Sequence, residues 1–195
     1  MRKFKLLVMV FLVLTLTNSC DVLEQIGETE RFAQCEFDLT GVRVVKVGGV
    51  DFQHIRSASD LNLGDMMTLT QRLFNGNMPA TLEVDVNARN HNQKTARISG
   101  MAWKVYLKEL EFVGGRMDRG VEVNPNSAVN FPIQVQVDLV EMLHQESLPE
   151  MLNIVFGMHD NSKLKALGLS VKIKPAYRTA AGNTNELPFW ITINP

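Results

Sequence analysis

The chain holds only two thiols, Cys20 and Cys35, and they are the side chains with the clearest capacity for chemistry. Cys20 closes a leader of three parts: a basic start with Arg2, Lys3 and Lys5, an apolar run from Leu6 to Leu14, and the small polar stretch Thr15 to Ser19. That is the layout of an export signal. The apolar run falls short of the roughly 20 residues that a permanent membrane span needs. Two other readings stay open at this level: an uncleaved N-terminal anchor helix, and a soluble exported protein with a Cys20–Cys35 bridge. Cys35 stands between Gln34 and Glu36, where negative charge raises a thiol pKa, so it is a poor nucleophile.

Leu16-Thr17-Asn18-Ser19-Cys20 resembles a bacterial lipobox, with Ser19 small at the cleavage position and Thr17 where a larger aliphatic residue is more usual. The resemblance implies that the Cys20 thiol becomes a thioether to a diacylglycerol and that cleavage frees its amine for a further acyl chain. Each buried methylene contributes about 0.8 kcal/mol, so several chains make the attachment effectively permanent. The expected organisation is a lipoprotein signal peptide over 1–19, a lipidated spacer over 20–35 and one folded domain over 36–195. The expected location is the bacterial cell envelope, anchored by lipid to the outer rather than the inner membrane. A lipidated Cys20 leaves Cys35 as a free thiol.

Other chemistry is hard to assemble. His54, His91, His144 and His159 are scattered without the close pairing of a helical metal site or a zinc knuckle. Ser99-Gly100 and Ser127 lack the flanking glycines of a nucleophile elbow. Glu109 and Glu111 fall on one face of a strand pattern, which reads more simply as a solvated face beside Lys108 than as paired catalytic carboxylates. Gly48-Gly49 follows a strand, but Val50-Asp51-Phe52 continues strand-like where a phosphate loop would open a helix, so the pair marks a turn. No catalytic residue, metal or cofactor is expected, and the chain reads as a non-enzyme. Removing the leader leaves 17 basic against 21 acidic residues with no basic cluster, which argues against nucleic acid as a partner.

The elements behind these residues are mostly strands. Phe37, Leu39, Val42, Val44 and Val47 alternate, as do segments over Ala80–Asn87, Ala96–Val113 and Gly120–Val123. In Asn130–Leu139, Phe131, Ile133, Val135 and Val137 share one face. Such period-two patterning predicts sheets buried on one side and packed face to face. Leu63, Met66, Met67, Thr70, Leu73 and Phe74 recur at helical spacing before Gly76 and Pro79, predicting one short helix whose methionines fill core. Short helices are expected over 139–143 and 148–156, broken at Ser147-Leu148-Pro149. Final strands are expected over Lys163–Pro175 and Leu187–Asn194, joined by a polar loop over 178–186. Residues 21–34 read as a partly helical spacer.

The segment Pro79-Ala80-Thr81-Leu82-Glu83-Val84-Asp85-Val86-Asn87-Ala88-Arg89-Asn90-His91-Asn92, followed by Ala96 and Gly100, resembles the late-embryogenesis-abundant group 2 family, or water-stress and hypersensitive-response domain, in its bacterial lipoprotein form. Members carry a strand ending in Asn-Pro-Asn here; Asn90 and Asn92 keep the asparagines and His91 replaces the proline. Trp103, where tyrosine is common, and Gly115 extend the likeness, which covers about residues 36 to 194. It implies a fibronectin type III-like or immunoglobulin-like β-sandwich of about seven strands with short accessory helices. It also implies a stress- or desiccation-related binding or protective role without catalysis. The alternative is a carrier or sensor of a lipid or other apolar ligand. Asparagine tolerates left-handed backbone and bonds to nearby amides, so Asn90 and Asn92 are expected to close the turn after the strand.

Overall fold

The computed structural model describes residues 23–107, 109–142, 147–158, 161–166, 168–179 and 181–195. Cys20, His144 and His159 lie outside the described residues.

Residues 23–33 form helix α1. The chain then enters β1 (Glu36–Val47) and turns back into β2 (Val50–Asp51). Gly48 and Gly49 make that turn with φ of 57° and 96°, a backbone region that favours glycine. A 3-10 turn (Ala58–Asp60) leads to α2 (Leu63–Phe74), and β3 (Pro79–Asn90) follows. Next come β4 (Ala96–Ile98), β5 (Gly100–Leu107), β6 (Leu110–Met117), β7 (Val121–Val123) and β8 (Ser127–Asp138). The helices α3 (Leu139–Met142), α4 (Leu148–Gly157) and α5 (Asn161–Ala166) precede β9 (Leu169–Arg178), β10 (Thr184–Glu186) and β11 (Ile191–Ile193).

The strands build a β-sandwich. One sheet has the order β2-β1-β3-β8, and the other has β10-β9-β5-β6 with β11 also on β9. All pairings are antiparallel. Inward residues meet in register: Val84 lies between Val42 and Ile133, and Val86 between Leu39 and Phe131. In the facing sheet Trp103 pairs with Ile173 and Val105 with Val171. These side chains form one buried cluster between the sheets, the arrangement that alternation in long strands predicts.

The strand number differs from the expected seven: eleven are present among the described residues. Five of the eleven, β2, β4, β7, β10 and β11, have only two or three residues; β7 and β11 lie within the expected segments 120–123 and 187–194. The predicted segment 96–113 divides into β4, β5 and β6. Residues 163–166, expected to begin a strand, lie in α5 instead, and the strand starts at Leu169. The polar loop expected over 178–186 contains β10, held by backbone pairing of Thr184 with Arg178 and Glu186 with Ala176.

The two ends of the sandwich differ. At one end α1 packs across the barrel-like opening between the sheets: Phe32 is fully buried against Phe37 and Phe131, with ring centroids 5.4 and 6.4 Å away. Thr29, almost fully buried, directs its hydroxyl to the carbonyls of Gln25 and Arg97 at 2.9 and 3.2 Å, and Arg31 Nε donates to the Thr95 carbonyl at 2.8 Å. At the other end sit α2, α4 and α5. Leu69 of α2 closes over Gly48, and the rings of Phe52 and Phe156 stack at 6.2 Å. A strand of twelve residues such as β3 separates the ends by about 40 Å.

Candidate functional site

Asn90 is the most connected polar side chain at the α1 end. It ends β3 on the inward face and is fully buried. Its amide nitrogen lies 2.9 Å from the Lys94 carbonyl, 3.0 Å from that of Val123 and 3.2 Å from that of Asn124, while its oxygen accepts from the Asn92 backbone N–H at 2.9 Å. One side chain therefore ties the 91–95 loop to the end of β7. Asn92 contributes backbone, its carbonyl accepting from Asn126 N–H at 3.3 Å. Asn126 has φ of 51°, a conformation asparagine tolerates better than most residues. His91 points outward, with Nε2 3.0 Å from the Glu36 carboxylate. That hydrogen bond, with the charge of Arg89, holds the Glu36 carboxyl below its ordinary pKa. These features fix a turn and offer no reactive group.

Cys35 is buried at the junction of α1 and β1, its Sγ 3.5 Å from the Arg31 carbonyl. Burial pushes its thiol up to about 11, so it is protonated at neutral pH. Glu109 and Glu111 do not form a pair. Glu109 sits in the β5–β6 turn with φ of 69°, and Glu111 binds Lys104 Nζ at 2.8 Å and Tyr106 Oη at 3.3 Å. Lys104 lowers the pKa of Glu111 through that hydrogen bond, against a small desolvation effect. Other outward faces carry similar solvated pairs, such as Arg43 with Asp85 and Glu83 at 2.7 and 3.0 Å. Among the described residues no group of three or more His, Cys, Asp or Glu is placed to hold a metal ion. Nor is any helix among them long and apolar enough to cross a membrane.

A void of about 40 Å³ lies between the sheets, lined by apolar side chains including Val84, Val105, Phe112, Met158 and Leu164. A cavity needs about 10–15 Å³ of such space to hold a water molecule, whereas small-molecule pockets run to roughly 300–1,000 Å³, so this void is a small one.

The most unusual surface is on α2. The helix starts with a reciprocal cap: Asn62 Oδ1 accepts from Asp65 N–H at 2.9 Å and the Asp65 carboxylate accepts from Asn62 N–H at 3.1 Å. It stops at Gly76, φ 65°, where Gly76 and Asn77 return hydrogen bonds to the Leu73 and Arg72 carbonyls. Leu69 is its single fully buried side chain, flanked by half-buried Met66 and Leu73. Leu63, Met67 and Phe74 face outward and are 79%, 66% and 88% exposed. The sequence predicted both methionines as core filler, and this holds for Met66 but fails for Met67. A shallow surface groove runs along this face past Gly64, Thr68, Thr70 and Gln71. Asp65 and Arg72 fall on the opposite side of the helical wheel, which leaves the outward arc without charge.

No protein-family model and no curated protein matches the chain. Among solved structures it is similar to a crystal structure of a protein from Archaeoglobus fulgidus, at 15% identity over 58% of this chain and 82% of that one, with a TM-score of 0.32. It is also similar to an X-ray structure of a structural-genomics target, at 7% identity over 84% of this chain and 89% of that one, with a TM-score of 0.33. At those scores neither likeness carries an argument about this chain.

Proposed function

We propose that the chain is a non-enzymatic, membrane-tethered module of the cell envelope, of the late-embryogenesis-abundant group 2 type, whose sandwich presents a binding or protective surface. The observation that carries the reading is the apolar, charge-free face of α2, exposed at the end of the sandwich remote from α1. Isolated exposed apolar residues are ordinary, but a stripe of them along one helix marks a contact surface. The described chain begins at the α1 end, so a lipid on Cys20 puts α2 at the far side from the membrane that holds it. The small size of the void between the sheets, about 40 Å³ against the roughly 300–1,000 Å³ of a ligand pocket, supports a surface over an internal carrier site.

The test is fractionation of cells expressing the full chain and its Cys20→Ala variant. The full chain should pellet with membranes and incorporate labelled fatty acid, and the variant should do neither. A Cys20→Ala chain that stays membrane-bound would sink the tether.

A further inference from the structure

We propose that the outer face of the β10-β9-β5-β6 sheet binds an acidic glycan, a chain of sugar rings bearing carboxylates, laid across Trp190, Lys104, Lys172 and Tyr106. The inference rests on the reading above in one respect, that the chain is exported to the envelope, where such polymers occur. It concerns a different face from that of α2.

Lys104 of β5 and Lys172 of β9 are direct cross-strand partners, and Lys174 faces Ala102, two residues back along β5. Like charges placed opposite each other cost stability, yet three lysines crowd one small area. Arg116 joins them from β6, on the other side of Ala102. Two carboxylates answer these four cations. Glu111 binds Lys104 at 2.8 Å, and Glu186 is shared between Lys174, at 3.2 Å, and Arg116. The balance here is positive, whereas residues 20–195 together carry 17 basic against 21 acidic side chains. A partner complementary to this patch is an anion.

The cations are interleaved with rings. Lys172 Nζ lies 4.4 Å from the centre of the Tyr106 ring, and Lys104 and Lys174 place theirs 5.2 and 5.8 Å from that of Trp190. Trp190 reaches the face from the connection between β10 and β11 and is 37% exposed. The outward positions of β1, β3 and β8, on the opposite sheet, hold no ring. A sugar presents an apolar C–H face that stacks on an aromatic ring, and its carboxylate makes a charge-assisted hydrogen bond to an ammonium. Lys104 and Tyr106 are two residues, about 7 Å, apart along β5. An extended chain can therefore cover both rings while its acid groups meet the lysines between them.

An acidic peptide would use the charges and leave the rings idle. A bilayer would need rings that project into it, and these lie against the lysines of the sheet. Single-stranded nucleic acid shares both chemistries and is one of the outcomes tested.

The experiment takes the full chain in neutral detergent from whichever cell fraction holds it, so a failed tether leaves the result readable. Binding to polygalacturonate and alginate is measured by affinity electrophoresis and by quenching of tryptophan fluorescence. At least one of the two glycans should retard the chain. Methyl-esterified polygalacturonate, which keeps the sugar rings and loses the charge, should bind at least ten times more weakly. Trp190→Ala and Lys172→Gln should each weaken binding at least tenfold. Lys172→Gln keeps its aliphatic stem and decides the matter should Trp190→Ala disturb thermal melting. No retardation by either glycan overturns the proposal, as do an ester that binds as tightly and variants that bind like the native chain. Equally tight binding of polyglutamate, oligothymidylate or phosphatidylglycerol vesicles also overturns it.

Discussion

Trp103 and Gly115 stand directly opposite each other across the β5–β6 ladder, and the indole fills the space that a side chain on residue 115 would need. A Cβ built on Gly115 falls 2.5 Å from Cζ2 of Trp103 and 2.9 Å from Cε2. The tryptophan is 7% exposed and spans the core between β6 and Ile173 of β9. Large and small are thus matched across a strand pair, which is how a large ring enters a sandwich without parting the sheets.

Gly115→Ala should destabilise the fold by about 1–3 kcal/mol through overpacking, and Trp103→Ala by about 3–5 kcal/mol through the cavity it leaves. In the double variant the penalties should sum to less than their parts, because alanine at 115 then has room. Urea denaturation of the four proteins measures the coupling; strict additivity would show that the two sites do not share space.

Asn90→Ala should cost about 2–3 kcal/mol, since it removes the two amide hydrogens shared among the Val123, Lys94 and Asn124 carbonyls and the acceptor of the Asn92 N–H. Asn92→Ala should cost less than about 1 kcal/mol, because Asn92 acts through its backbone. Equal effects in thermal melts would contradict the unequal burial of the two asparagines.

His91→Pro should be tolerated and raise stability by up to about 1 kcal/mol, because the preceding Asn90 is already in a strand and proline narrows the unfolded ensemble. The same change removes the hydrogen bond that lowers the Glu36 pKa. In an NMR titration the Glu36 midpoint should therefore rise toward the ordinary glutamate value. A midpoint that stays put assigns the shift to Arg89 alone.

Cys35 makes stability fall in alkali. Below about pH 9 folded and unfolded chains both keep the thiol proton. Above it the unfolded chain loses its proton while the folded chain, at about 11, keeps it, so stability declines as pH rises between those values. Urea midpoints at pH 8 and 10.5 should diverge more for the native chain than for Cys35→Ala. Peptide mapping after iodoacetamide treatment at pH 8 should find Cys35 unmodified until denaturant is added.

The long strands were legible because their alternation and their burial coincide. In β8, Phe131, Ile133, Val135 and Val137 all point inward, as the period-two pattern says they must. The short strand β10 was not. Thr184, Asn185 and Glu186 carry no apolar period, and only the nearby backbone of β9 makes them a strand. Residues 163–166 misled because Lys163-Leu164-Lys165-Ala166 alternates polar and apolar like a strand, whereas in the fold Leu164 is fully buried from a helix. Helix α2 was visible, but its orientation was not. Apolar residues lie on more than one side of it, and which side turns inward is decided by contact of Leu69 with the glycine turn at Gly48, a relation between distant residues. The exposed stripe therefore passed as core. Asn90 was found through its place at the strand end, although its depth of burial depends on the approach of β7, and which strands lie side by side is not written in their alternation.

The docking of α1 gives the module a mechanical property. A pull applied at the N-terminal end reaches residue 23 first and loads the Thr29, Arg31 and Phe32 contacts with Arg97 of β4, Thr95 and the core before any tension arrives at Glu36. Beyond that, β1 is paired along its length with β3, and β2 covers only its last two residues. Helix α1 thus stands between the N-terminal end and the sandwich, and its contacts carry a load before the β1–β3 ladder does.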